Sequence, residues 1–265
     1  RFNTFIEDMS LICQENISGI AGEYTSISQL RNIYIDMPLV GVRLEEGSYS
    51  NLIDSVEVYE PVTGGMDFRA DCHSVTVSNC IFNGNRRGSN NPEFGIRIAA
   101  VANCSDMTVF GSNFDFYRCE NHVVLTNNDC KGFNFTGNYI EVRNDNVSNN
   151  GLALYYGSGI NVSGNRISTA SKVSNFNIQL GRKCESVSIT GNYFKGADVA
   201  CIRVAPGCRN VFIAGNESIG GVKLVDNQNA AIEDKNTCYI EDGDVHTDSV
   251  SAAKMLIPDS GDLTI

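Results

Sequence analysis

The chain has 265 residues, a formal net charge of −11 and 42% hydrophobic residues, with no tryptophan. Such acidity argues against nucleic acid as a partner, and no apolar run is long enough to span a membrane. One continuous repeat series over this length reads as a single elongated domain with a narrow core.

Taken in chain order, short runs of alternating apolar and polar residues recur. Residues 33–35 (IYI) and 56–58 (VEV) read as weak early copies. From residue 75 the pattern is explicit: 75–77 (VTV), 107–109 (MTV), 133–135 (FNF), 160–162 (INV), 187–189 (VSI) and 211–213 (VFI). Five residues after each start stand Cys80, Ser112, Asn138, Asn165, Asn192 and Asn216, preceded by Asn79, Gly111, Gly137, Gly164, Gly191 and Gly215. A residue able to take positive φ thus marks the same turn in each copy. The anchors are 32, 26, 27, 27 and 24 residues apart, a period that signals a solenoid. Second runs such as 96–98 (IRI), 176–178 (FNI) and 202–204 (IRV) are too short for amphipathic helices. Two or three short strands per repeat of about 25 residues describe an all-β parallel β-helix, whose coils stack at about 4.8 Å.

Stacking turns equal positions into columns. Three residues before the strand starts stand Cys72, Cys104, Cys130, Gly157, Cys184 and Cys208, with Ile53 and Leu30 expected in the corresponding places of the early copies. This reads as a ladder of buried thiols. A metal site would need a C-x-x-C pair or a Cys/His cluster, and the sequence has neither, so no metal and no cofactor are expected. The four asparagines form a second column suited to amide ladders. The triplets at Asn134 and Asn161 belong to strands rather than to glycosylation loops. Thiols held in a ladder fit a reducing cytosol during folding.

The Gly-Asn turns, the alternating strands and the period resemble the right-handed parallel β-helix of pectin-lyase-like proteins over roughly residues 30–234. The many thiols without evident pairing are similar to those of bacteriophage tailspikes. That resemblance implies a homotrimer on the virion tail, in contact with other tail proteins, folded in the host cytoplasm and cutting or binding bacterial surface polysaccharide. The motifs of polygalacturonases, calcium-dependent pectate lyases and alginate epimerases are absent from the sequence.

Because the core of such a fold is full, chemistry belongs on outward columns and loops. Residues 84–94 form a long connection, 143–150 an intermediate one and 117–122 a short one between them, so a cleft is expected over the coil of Asp115. Counting three past each turn anchor gives Asn83, Asp115, Glu141, Ser168 and Lys195 as one outward column. Asp115 and Glu141 on adjacent rungs suit the paired carboxyls of glycoside hydrolysis, and like charges so close raise one pKa, as a general acid requires. Glu120 and His122 are the alternative acid and base. Arg86, Arg118 and Arg143 are candidates to hold acidic sugars, and Tyr117, Tyr155 and Tyr156 to stack on sugar rings. The same surface charges also serve solubility. A further outward column, Thr76, Thr108, Asn134, Asn161, Ser188 and Phe212, suits a neighbouring subunit or open water.

After Thr237 the period is lost, which reads as the end of the helix or the start of a following module, with residues 1–236 as the β-helix. Asp242, Asp244 and Asp248 form an acidic turn lacking the closing glutamate of a calcium loop. An opening at Arg1 without methionine and a stop at Ile265 fit a piece of something longer. The expected function is an endo-acting depolymerase of capsule or O-antigen. A non-catalytic structural or receptor-binding segment of a tail fibre and a secreted lyase or epimerase are the alternatives.

Overall fold

The computed structural model describes residues 4–14, 16–69, 71–84, 92–98, 104–116, 119, 121–125, 130–142, 150–168, 176–220, 222–228, 239–240 and 245–246. Among the described residues, 24 strands form a right-handed parallel β-helix. In each coil the chain passes through three faces, and among the described residues every pairing between coils is parallel. Face one holds Thr76–Ser78, Ser105–Phe110, Lys131–Thr136, Arg209–Ala214 and the second halves of Asn150–Ser163 and Ile178–Thr190. Face two holds Ile81–Gly84, Asn113–Phe116, Tyr139–Val142, Arg166–Ser168, Tyr193–Lys195 and Glu217–Ile219. Face three runs from Ile20–Gly22 through Val40–Leu44, Gly64–Phe68, Phe94–Ile98 and Asn121–Leu125 to Ala200–Val204 and Lys223–Asn227. Tyr239–Ile240 and Val245–His246 add one more rung to faces one and two, so the solenoid continues past Thr237, where the sequence pattern fades.

The corner between faces one and two explains the Gly-Asn repeats. Gly111, Gly137, Gly164, Gly191 and Gly215 all have φ between 61 and 64°, and Asn79 in the preceding rung has 52°. Such a corner frees backbone groups inside the protein, where each needs a partner. The amide ladder supplies them. The backbone N–H of Asn138 donates to Asn165 Oδ1 at 2.8 Å, that of Asn165 to Asn192 Oδ1 at 2.9 Å, and that of Asn192 to Asn216 Oδ1 at 3.0 Å. Each amide nitrogen in turn donates to a carbonyl of the rung before, as Asn165 Nδ2 does to Phe135 O at 2.9 Å. Ser112 and Cys80 extend the ladder in the other direction.

The thiol column is also present. Cys72, Cys104, Cys130, Cys184 and Cys208 are all buried, and none of them is in a disulfide. Burial pushes the thiols of Cys80 and Cys130 up to about 12, which leaves them unreactive. Gly157 interrupts the column for a steric reason: its φ is +130°, and a Cβ there would lie 3.0 Å from the Cys130 carbonyl oxygen.

The early coils differ from expectation. Leu52–Tyr59 is one continuous strand that pairs with both Thr76–Ser78 and Ile81–Gly84. Val58 lies beside Phe82, and Val56 therefore precedes Cys80 rather than Val75. Residues 33–35 and 56–58 are thus second-face strands, five residues out of the expected frame. The thiol column is continued backward by Ser48 and Thr25 rather than by Ile53 and Leu30, because Tyr49 bridges His73 and Ser26 bridges Tyr49. On face three the aligned segment is residues 178–180, not 176–178, since Ile178 pairs with Ile202.

Candidate functional site

Asp115 and Glu141 are register partners on neighbouring strands of face two. Their inward neighbours Phe114 and Ile140 are fully buried, and alternation along the strand sends both carboxylates to the outside. The column Asn83, Asp115, Glu141, Ser168, Lys195 is continuous. Glu141 and Asp115 are each partly buried, while Lys195 is exposed.

Two residues earlier on the same strands runs a second outward column: Asn113, Tyr139, Arg166, Tyr193 and Glu217. The Arg166 guanidinium lies 5.6 Å from the Tyr139 ring centroid and 5.3 Å from that of Tyr193. Both distances fall within the reach of cation–π attraction. The Tyr139 hydroxyl donates to Glu141 Oε2 at 3.0 Å, which joins the two columns. Burial pushes the Tyr139 phenol above its usual range, and the hydrogen bond to Glu141 and the charges of Glu141 and Asp115 add to this, against Arg166. One phenol thus feels both carboxylates and the arginine.

Tyr139, Arg166 and Tyr193 are absent from the sequence-based candidates. Their mark is nonetheless there: each directly follows an anchor asparagine, Asn138, Asn165 or Asn192. Counting one past the anchor, rather than three, exposes the Tyr–Arg–Tyr run.

Other expected site residues lie elsewhere. His122, expected as a surface acid or base, is wholly buried, with its ring edge-on to Phe114 at 6.4 Å. Burial lowers its pKa to about 3, so it is a neutral core residue at ordinary pH. At the corner into face three two successive residues turn inward, and His122 occupies the place that Gly95 and Gly151 hold in adjacent rungs. Tyr155 packs outside face three against the cluster of Val40, Phe94 and Val124. Tyr156 is paired in register with Lys183, whose ammonium lies 5.8 Å from its ring. Neither tyrosine is on the face of Asp115 and Glu141. Arg86, Tyr117, Arg118, Glu120, Arg143 and the acidic turn Asp242, Asp244, Asp248 lie outside the described residues, as do most of the loops expected to wall a cleft.

Among the described residues no group of three metal-ligating side chains occurs. A second charged cluster on face three is structural: Asp67, with no exposed side-chain surface, is held by Arg97 at 2.7 Å and Arg69 at 2.7 Å. Burial alone would raise the Asp67 carboxyl, but hydrogen bonds from the two arginines overcome this and hold it below the usual range.

No protein-family model and no curated protein matches the chain. Among solved structures, the Streptococcus pneumoniae surface protein and adhesin PfbA aligns with a TM-score of 0.59 at 12% identity, covering 86% of this chain and 78% of that one. The likeness is one of fold. The Dettilon tailspike protein also matches, with a TM-score of 0.44 at 13% identity, over 84% of this chain and 55% of that one.

Proposed function

We propose that this chain is a tailspike-type depolymerase that binds bacterial surface polysaccharide along face two and hydrolyses its glycosidic bonds with Asp115 and Glu141. The supporting observation is their direct register pairing on an outward surface that also carries Tyr139, Arg166 and Tyr193. Neighbouring rungs about 4.8 Å apart bring the carboxyls near the separation of about 5 to 5.5 Å used by retaining glycosidases, and diverging rotamers give the wider inverting one. One carboxyl, protonated, gives its proton to the leaving glycosidic oxygen, while the other attacks the anomeric carbon or takes a proton from the attacking water. A homotrimer on a virion tail, among other tail proteins, is the assembly proposed for such a chain, and its thiol-rich core suits folding in the host cytoplasm.

A second reading, binding without cleavage, is favoured by the Tyr139–Glu141 hydrogen bond, which occupies one carboxylate. It also gains from the adhesin with the same fold, the function named for that protein being attachment. The test is release of reducing ends from capsular polysaccharides of varied strains, paired with a spot assay on lawns. Wild type is expected to form halos, and Asp115→Asn and Glu141→Gln each to lose about 10²- to 10⁴-fold in rate, as removal of acid–base groups does. Halos that survive both substitutions would remove the site. Cell binding with neither halo nor reducing ends would leave adhesion as the function.

A further inference from the structure

The Tyr139–Arg166–Tyr193 stack is a built feature, not scattered surface charge. Three successive rungs of one column place a cation between two aromatic rings, so the long arginine side chain is held rather than swinging in solvent. Arg166 is exposed, and among the described residues no carboxylate forms an ion pair with it. Lys195 stands one rung further along in the adjacent column, and Ser168 shares the strand of Arg166. A protein of net charge −11 thus presents a local cationic step beside its carboxylate pair. On face two the charge changes sign along the helix axis, from Asp115 and Glu141 to Arg166 and Lys195, and back at Glu217 one rung beyond Tyr193.

Resting on the reading of face two as the carbohydrate tract, we infer that Arg166, braced by Tyr139 and Tyr193 and assisted by Lys195, forms a subsite for an anionic sugar. The polysaccharide lies along the axis, with its acidic group one rung from Glu141. A planar guanidinium fork fits a carboxylate or a phosphate through two parallel hydrogen bonds. The stack supplies what an isolated surface arginine lacks: its orientation is set before the ligand arrives, so less freedom is lost on binding. Carboxylate on a uronic acid and phosphate on a phosphodiester-linked polymer share this chemistry.

Affinity electrophoresis separates the sources. Wild type, Arg166→Gln and Arg166→Lys are run through gels containing polygalacturonate, a teichoic acid or neutral dextran. Retardation is expected in one anionic gel and not in dextran, and it weakens as salt rises. Arg166→Gln is expected to weaken it about tenfold or more, on the scale of a lost charge-assisted hydrogen bond. Arg166→Lys, which keeps charge without the planar fork, falls between. Melting curves confirm that the variants fold, and Lys195→Gln, outside the stack, gives a smaller loss in the same gel. No retardation in either anionic gel, equal retardation in dextran, or an Arg166→Gln variant that runs as wild type overturns the subsite. Retardation without cleavage leaves the subsite standing and removes the hydrolase. Cleavage of a neutral polymer does the reverse.

Discussion

The first coils and the later ones solve the same corner problem in opposite places. In the early coils the polar ladder sits between faces three and one: the N–H of Ser28 donates to Asn51 Oδ1 at 3.1 Å, and Asn51 Nδ2 reaches Thr25 Oγ1 at 3.2 Å. Their one-to-two corner is apolar, with Ile33 and Val56 buried. In the later coils the first corner becomes apolar and thiol-lined, and the second carries Asn138, Asn165, Asn192 and Asn216. The change falls at Cys72 to Cys80. Yet the backbone is the same throughout. Asp8, Asn32 and Ser55 hold φ of 50 to 55° at the rungs that precede Asn79 and the five glycines. The corner is a conformational demand, and the side chain that satisfies its freed groups is interchangeable between corners.

The contrast is broken most severely inside the later ladder. Asn165→Ala leaves the N–H of Asn138 and the carbonyl of Phe135 without their partners. At about 1–3 kcal/mol for each buried group left unsatisfied, a loss of about 3 kcal/mol is expected in denaturant unfolding. A loss below about 1 kcal/mol would mean that water fills the ladder.

The third corner sharpens the comparison through pH. A Cβ on Gly65 would fall 2.4 Å from the Phe82 ring and one on Gly95 2.9 Å from that of Phe114, yet His122 is accommodated in the same column. Its folded pKa is lowered to about 3 from the ordinary histidine value of 6.5. Between those values the unfolded chain binds a proton that the folded one does not. Stability is therefore full above pH 6.5 and falls by about 1.4 kcal/mol per pH unit on acidification. His122→Asn, the residue type of Asn177 in that column, is expected to remove this part of the slope. Parallel pH profiles of wild type and variant would show that His122 titrates normally.

The smallest effects test the backbone demand itself. Gly191 has φ +62°, and a Cβ added there would meet nothing within 4 Å, so Gly191→Ala costs only the left-handed penalty, roughly 1–2 kcal/mol. Asn32→Gly, at the matching rung of the early coils, relieves that strain while losing the hydrogen bond to Asp8 at 3.0 Å. A thermal shift near zero is expected there.

Some of this is legible in the sequence alone. The Asn ladder, the thiol column and the Asp115–Glu141 pairing follow from equal spacing, because stacking a repeat is a translation that any constant offset reveals. The early frame is hidden because residues 33–35 and 56–58 look like residues 75–77 when only alternation is compared. The cue that corrects it, a positive-φ corner at Asn32 and Ser55, carries no glycine.

By itself the sequence determined the solenoid, its period and which residues share a column. Tertiary structure decided how columns lie around the axis. Alternation predicts in or out along a strand, but at a corner two successive residues turn inward, which drew His122 into the core. The chain length between strands sets which face comes next, which put Tyr155 and Tyr156 away from the carboxylates. Only with both settled do Tyr139, Arg166 and Tyr193 stand beside Glu141.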